Sequence, residues 1–485
     1  MASSSLKEKT ANGLFYGAVS QGGQQVLNLV FGIFLARLLA PDDYGVIGML
    51  AIFALIATTL QESGFISALN RKEEATPADF NAVFWFNVLC ALVVYAVLYA
   101  CAPLIAAWFR LPVLVPLSRL YFLSFVISAS GTSARAWLFR RMMVRQASMV
   151  TLFSLFLSGV AGVSLAWMGF AYWGIAIQNL VYCFFVTAGS WWFARWRPSL
   201  HIDLRPLRGM IGFSSRLLAT NIFTHVNNNL FSLFFGRLYG ERAVGYYNQA
   251  NKWTGMGYTF LTGMIWNVVQ PLFARIPAEA LDSKQRMFRK MLRLTAFLSC
   301  PALFGLALVA PEFIVITITA KWLPSARLMQ LLCVGGAFVP IASLYSNFII
   351  SQGRSGVYMW NTIALCLAQL LLLFVLYPYG VQVMVAAYVA ANVLWLFVWH
   401  HFLQRLIPLR LIDAVRDVLP FAVVAALAMA LAQGAVRLLN GGLWLSLAVK
   451  VSVGAGVYLL LMRLLGAQIM AECVGFLHDK WRRKG

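Results

Sequence analysis

Long apolar runs dominate the chain. They lie over 12–37, 44–66, 81–106, 117–137, 148–168, 172–194, 209–238, 245–273, 292–316, 326–350, 357–377, 381–403, 417–436 and 443–465, punctuated by Pro, Gly and charged residues. A helix needs about 20 apolar residues to cross a bilayer, and a barrel strand only about 10. The runs therefore predict fourteen spanning helices and exclude a β-barrel. The connecting loops, none above about 20 residues, are too short for an independent domain. The first run has a weak basic start at Lys7 and Lys9, is broken by Gln21, Gly22, Gly23, Gln24 and Gln25, and lacks a clear cleavage site. It reads as a retained first helix, not a signal peptide.

Composition sharpens this picture. Of 485 residues, 61% are hydrophobic and 11% charged, and the mean hydropathy is +0.77. Soluble chains carry about 25% charged residues. A disordered chain, a secreted disulfide scaffold and a cytosolic enzyme with a small anchor are excluded. In a soluble protein the net charge of +22 would point to nucleic acid. Here the distribution matters more. With the N-terminus inside, 27 of the 38 Lys and Arg fall on the inner side, 8 fall outside, and Arg216, Lys252 and Lys450 lie within spans. That is the positive-inside signature of a membrane protein with both termini cytoplasmic, and no nucleic-acid partner is expected. The seven cysteines are scattered without a C-x-x-C, and the five histidines do not cluster. Neither a metal site nor a disulfide framework is indicated, and no cofactor is expected. Walker, G-x-G-x-x-G and G-x-S-x-G motifs do not occur, so an enzyme is not expected.

Spans one and seven repeat each other at an offset of 200. Asn28, Phe31, Phe34, Arg37, Leu38 and Gly45 recur as Asn228, Phe231, Phe234, Arg237, Leu238 and Gly245. Six spans lie between the copies, an even number, so both point the same way. This predicts an all-α polytopic fold of two pseudo-symmetric six-helix lobes, 1–200 (helices 1–6) and 201–405 (helices 7–12). Helices 13–14 and a basic cytoplasmic tail follow over 406–485. In a two-lobed transporter of this kind the ligand site lies between the repeats.

Polar residues interrupt both copies. Gln21, Gln24, Gln25 and Asn28 fall on one face of span one, and Arg216, Thr220, Asn221, Thr224, His225 and Asn228 lie close to one face of span seven. Amides facing lipid would leave donors unpaired, so these rows face protein or water. As interhelical glue each hydrogen bond contributes about 0.6 kcal/mol. The alternative is a hydrated cavity lined by both spans, which the matching placement favours. Arg216 and Lys252 each sit about two turns inside a span. Intramembrane cations are candidate functional groups, and snorkelling to the headgroups is the competing role. Carboxylates are scarcer: Glu62 and Glu312 lie near span ends. A basic interior suits an anionic ligand such as a diphosphate; a cation antiporter would want a central carboxylate. Candidate substrate-binding residues are thus Arg216, Lys252, Gln24, Gln25, Asn28, Asn221, His225 and Asn228. Asp42-Asp43 reads as turn chemistry after Pro41. Lys284, Arg286, Arg289, Lys290 and Arg293 read as a basic inner loop that would touch anionic lipids.

Three segments carry a family resemblance. Leu35-Ala36-Arg37-Leu38-Leu39-Ala40-Pro41-Asp42-Asp43-Tyr44-Gly45 resembles the end of helix one in polysaccharide exporters of the multidrug/oligosaccharidyl-lipid/polysaccharide superfamily. Gly64-Phe65-Ile66-Ser67-Ala68-Leu69-Asn70-Arg71-Lys72, followed by Asp79-Phe80-Asn81-Ala82-Val83-Phe84-Trp85-Phe86-Asn87, resembles the second loop of Wzx-type flippases, nearest the colanic-acid exporter branch. Gly245-Tyr246-Tyr247-Asn248 is similar to the start of helix eight. The resemblance implies fourteen helices in two lobes, alternating access, and residence in the bacterial inner membrane. The implied cargo is a polyprenyl-diphosphate-linked oligosaccharide repeat unit of an O-antigen, capsule or exopolysaccharide. Its motifs do not fix the binding residues, which rest on the polar pattern above. A coupling ion (Na+ or H+) and a polysaccharide polymerase are candidate partners. Competing readings are a cation-coupled multidrug antiporter, a peptidoglycan lipid-precursor flippase and a membrane glycan polymerase. The last would be expected to carry a large outer loop, which this chain lacks.

Overall fold

The computed structural model describes residues 2–62, 69, 76–141, 143–207, 231–274, 281–439, 442–466 and 469–470. Among them all regular structure is helical, and a helix stands at each of the fourteen expected spans. We label them α1 (Ala2–Leu38), α2 (Pro41–Glu62), α3 (Pro77–Phe109), α4 (Leu114–Arg140), α5 (Val144–Trp167), α6 (Ala171–Phe193), α7 (231–239), α8 (Glu241–Ala274), α9 (Leu281–Ile318), α10 (Leu323–Gly336), α11 (Val339–Ser351), α12 (Ser355–Leu376), α13 (Val381–Gln404), α14 (Leu411–Leu439) and α15 (Leu443–Leu464). Ten helical segments among the described residues are long and apolar enough to cross a membrane. The chain is an all-α, multi-span membrane protein. The tenth expected span is two helices, α10 and α11. Gly335-Gly336 end the first, and Pro340, which has no N–H to donate, sits in the first turn of the second.

The chain divides into two compact units, Met1–Gly245 and Tyr246–Gly485. In the first, α3 packs on α4, α4 on α6, α6 on α5 and α5 on α1. Small residues bring these helices close. α5 buries Ser154, Ser158, Gly159 and Gly162, and a Cβ at Gly159 would overlap the Phe31 ring of α1. The start of α3 is fixed by a capping box: Thr76 Oγ1 accepts from Asp79 N, and the Asp79 carboxylate accepts from Thr76 N at 2.9 Å. Nearby, Asn81 Nδ2 donates to the His201 carbonyl at 2.6 Å, and Asn81 Oδ1 accepts from Ser199 N at 2.9 Å. The run that carries much of the family resemblance therefore caps α3 and ties the segment after α6 to it. Gly64–Ala68 and Asn70–Lys72 lie outside the described residues.

Two readings of the sequence change here. Asp42 and Asp43 occupy the first turn of α2 rather than a loop, and Asp43 Oδ2 accepts from Ala40 N at 2.8 Å. A carboxylate there complements the positive end of the helix dipole. The segment from Lys284 to Arg293 is likewise part of α9, not a loop.

In the second unit, α9 packs against α10, α14 and α15, and α10 against α13. An aromatic core including Phe273, Phe288, Tyr345, Phe348 and Trp399 fills it. Two polar clamps hold the C-terminal pair to α9. Arg289 donates to Asp417 of α14 through Nε (2.6 Å) and Nη2 (3.1 Å), with Arg293 Nε 3.7 Å from the same carboxylate. Lys450 of α15 reaches Glu312 of α9 at 2.6 Å.

Candidate functional site

Gln24, Gln25 and Asn28 on α1 and Lys252 on α8 are the candidate binding residues that lie within the described residues. Gly23 and Phe31 turn toward α5: a Cβ at Gly23 would stand 2.9 Å from Leu152, and Phe31 meets Gly159. At 100° per residue, Gln24, Asn28 and Gln21 then fall beside that packed face, and Gln25 lies further round. Gln24 is half-buried and its Nε2 donates to Ser20 Oγ at 3.0 Å. Gln21, Gln25 and Asn28 are exposed. The amides of Gln25 and Asn28 are thus not buried as glue inside the protein. Val26, at 61% exposed, lies on the far side of the helix, so α1 presents packed, polar and apolar faces in turn.

Lys252 lies on α8, half-buried, with its ammonium 5.4 Å from the centroid of the Trp253 ring. That distance is within cation–π range. One turn earlier, Gln249 is buried with neither amide atom hydrogen-bonded, and the Trp253 indole N–H is also without a bonding partner. Buried amides ordinarily find partners, so α8 carries unfilled hydrogen-bonding capacity next to a cation. Arg216, Asn221, His225 and Asn228 lie outside the described residues.

Two other charged groups inside the fold, Glu312 and Lys450, are paired with each other. The Glu312 carboxylate accepts from Lys450 Nζ at 2.6 Å and from Ser446 Oγ at 2.8 Å, while Lys450 also donates to the Leu308 carbonyl. Sequence reasoning had both residues but not their partnership, which spans 138 positions. His400 is buried with Nδ1 3.2 Å from the Tyr345 hydroxyl, and His401 lies beside Arg405. Among the described residues no group of three or more His, Cys, Asp or Glu could hold a metal ion.

Comparison with known proteins supplies what the geometry leaves open. The chain is 26% identical to the lipopolysaccharide biosynthesis protein WzxC of Escherichia coli K12, over 72% of this chain and 71% of that protein. It is 22% identical to the teichuronic acid biosynthesis protein TuaB of Bacillus subtilis 168, over 94% and 96%. Its fold superposes on the lipid II flippase MurJ in an inward closed conformation with a TM-score of 0.71 at 12% identity, covering 93% of this chain and 99% of that one. At that identity the match establishes a shared fold. The family described as polysaccharide biosynthesis protein matches residues 34–327. That match runs from the end of α1 to the start of α10, and on it the chain belongs to this family of polysaccharide biosynthesis proteins.

Proposed function

We propose that the chain is a flippase, not an enzyme, that moves a polyprenyl-diphosphate-linked oligosaccharide from the inner to the outer leaflet of a bacterial inner membrane. The observation that carries this reading is the uncovered amide face of α1. A spanning helix that exposes Gln25 and Asn28 needs water or a polar ligand beside it. Family membership supplies the ligand class, because the relatives are named for building surface polysaccharides. Amides suit sugar hydroxyls, and Arg216 and Lys252 suit the diphosphate. The prenyl tail stays in lipid. Two lobes alternating between inward and outward openings complete the cycle, with both termini cytoplasmic.

A cation-coupled antiporter on the same fold would want a carboxylate available to the cargo. Glu312, the one buried glutamate among the described residues, is instead paired with Lys450. The test is direct. The purified chain in proteoliposomes should move a fluorescent polyprenyl-diphosphate disaccharide between leaflets, scored by quencher access. Protein-free liposomes should not. Equal rates with and without protein would sink the proposal, as would transport of a cationic dye in preference to the lipid-linked sugar.

A further inference from the structure

After α6 the chain runs without regular structure over 194–204 and closes on a 3-10 turn, Arg205–Leu207. It is held firmly all the same. Arg197 Nη1 donates to the carbonyls of Trp191 (2.9 Å) and Ala194 (2.6 Å), which satisfies acceptors at the end of α6. Trp196 stacks on Trp191 and is buried in one cluster with Leu207 and with Phe80 and Val83 of α3. Asn81 of α3 bonds the backbone at both Ser199 and His201, and Trp85 Nε1 donates to the Ser199 carbonyl at 2.8 Å. The stretch is a strap fastened across the start of α3.

What the strap presents outward is apolar. Leu200, Ile202 and Leu204 are 90%, 50% and 39% exposed. The bonds of Asn81 before them and the burial of Leu207 after them fix this exposure. Water is a poor neighbour for three aliphatic side chains within five residues. The position supplies a better one. α3 starts at Pro77, α4 ends at Arg140 and α6 ends at Phe193, and all three are long and apolar enough to cross a membrane. The strap therefore lies where the spans leave the hydrocarbon. Phe139 and Trp192, in the last turns of α4 and α6, are 68% and 83% exposed; an aromatic belt marks such an interface. Arg195 precedes the aliphatic row and Arg205 follows it. Both are exposed, and neither side chain is hydrogen-bonded or ion-paired among the described residues. Asp203, the one acid over 194–207, accepts from the Arg205 backbone N–H at 2.9 Å.

We infer that this strap is a docking surface for anionic phospholipid. Leu200, Ile202 and Leu204 enter the leaflet at this end of the unit, just below the headgroups, and Arg195 and Arg205 take the phosphates. Charge and depth together select this occupant. A neutral leaflet would satisfy the aliphatic row and leave the arginines without counter-charge. A soluble acidic protein would satisfy the arginines, but the row stands at the level of the bilayer surface. The inference holds whatever cargo the chain carries.

The test uses the full-length protein, freed of its seven cysteines, in phosphatidylcholine vesicles with and without phosphatidylglycerol. Leu200→Cys, Ile202→Cys and Leu204→Cys, made singly, carry a nitroxide. Collision with oxygen, which concentrates in lipid, should exceed collision with a water-soluble nickel chelate at all three. Lipid preference is read separately. A fluorophore on Leu200→Cys is quenched by brominated phosphatidylglycerol or by brominated phosphatidylcholine, and the ratio gives the relative affinity beside the strap. Phosphatidylglycerol should be favoured. Arg195→Gln and Arg205→Gln should each lower that preference about fivefold. Lysine at either place should keep most of it, because charge and not a bidentate fit is at work. Arg110→Asn, at the far end of α3, should change nothing. Dominant collision with nickel puts the row in water and overturns the proposal. So does an immobile nitroxide shielded from both reagents, which would mean that a second copy of the chain covers the strap. Equal quenching by the two lipids, or a preference unmoved by loss of both arginines, overturns it as well. A protein that passes these tests but moves no lipid-linked sugar loses the proposed function and keeps the strap.

Discussion

Arg242 grips the carboxylate of Asp42, with Nε 3.1 Å from Oδ1 and Nη2 3.0 Å from Oδ2, and the two residues stand 200 positions apart. That separation is the offset of the internal repeat, so the ion pair joins equivalent positions in the first turns of α2 and α8. Beside it the backbones meet reciprocally. A Cβ at Gly45 would overlap the Glu241 carbonyl, and a Cβ at Gly245 would overlap the Pro41 carbonyl. Pro41 and Glu241 are again equivalent, as are the two glycines. The pair itself is well exposed, at 67% and 36%, and such pairs contribute about 0–1 kcal/mol. The glycines set the geometry.

Gly45→Ala and Gly245→Ala should therefore be severe and alike. Overpacking costs about 1–3 kcal/mol when side chains can yield; here the obstacle is backbone, so the upper end or beyond is expected. Each variant should lower the apparent Tm in detergent by several degrees and reduce export. Gly434→Ala, which meets nothing within 4 Å, should be silent. Arg242→Ala should fall between, near wild type. A tolerant Gly45→Ala would mean that the helix starts do not cross so closely.

The Lys450–Glu312 pair should act as a unit. The side chains are 5% and 11% exposed, and removing one partner of a buried pair costs about 3–5 kcal/mol. Glu312→Gln or Lys450→Met alone should reduce accumulation and thermal stability. The double change Glu312→Leu with Lys450→Met should recover most of the loss, because a well-packed apolar pair replaces a desolvated ionic one. A double variant as unstable as the singles would show that the contact does not bind α15 to α9.

How much of this was legible depends on the scale of the feature. Spanning helices follow from run length because lipid leaves the backbone no other solution. The break between α10 and α11 was written as Gly335-Gly336 and Pro340, but an unbroken apolar run hid it. Side-chain direction was not legible. Arg135, Lys284 and Arg289 count as inner charges by position, yet Arg135 folds back along α4, Lys284 is buried against Gln352, and Arg289 is held by Asp417. A run of small hydroxyl residues ahead of Arg135, from Ser128 to Ser133, was the available hint that its side chain finds acceptors inside the span. Pairings across more than 100 residues, such as Glu312 with Lys450, need the fold itself.

The orientation read from the charges has its own test. Reporter fusions after residues 75, 200 and 282 should give cytoplasmic signals, and fusions after 112 and 240 external ones. An external signal at 200 would overturn the span count, because one missing helix inverts everything after it.

Arg216→Ala and Lys252→Ala should each impair export, scored as surface polysaccharide, while the protein still inserts and accumulates. Arg216→Lys should be mild if a point charge suffices and severe if a bidentate phosphate grip is required. Wild-type output from the double alanine variant would remove both cations from the substrate path.

The polar face of α1 makes the sharpest prediction. A thiol reacts with a charged methanethiosulfonate reagent as its thiolate, which forms in water and not in lipid or a packed core. In a background lacking the seven native cysteines, single cysteines at Gln25 and Asn28 should therefore react quickly, and Gln24 more slowly. Cysteine at Phe31, which packs on Gly159, should be protected, and so should cysteine at Val26 or Val30, which are exposed but lie on the apolar side of the helix, where lipid is expected. The same reagent should label Asn221, His225 and Asn228 if the repeat gives span seven an equivalent polar face. Lipid-linked saccharide should slow labelling at the reactive positions, since it occupies the water they face, and should leave Phe31 unaffected. If Val26 and Val30 react as fast as Gln25 and Asn28, α1 is merely loose in detergent. If Gln25 and Asn28 are as protected as Phe31, there is no water beside them, and the cavity on which the proposed function rests is closed.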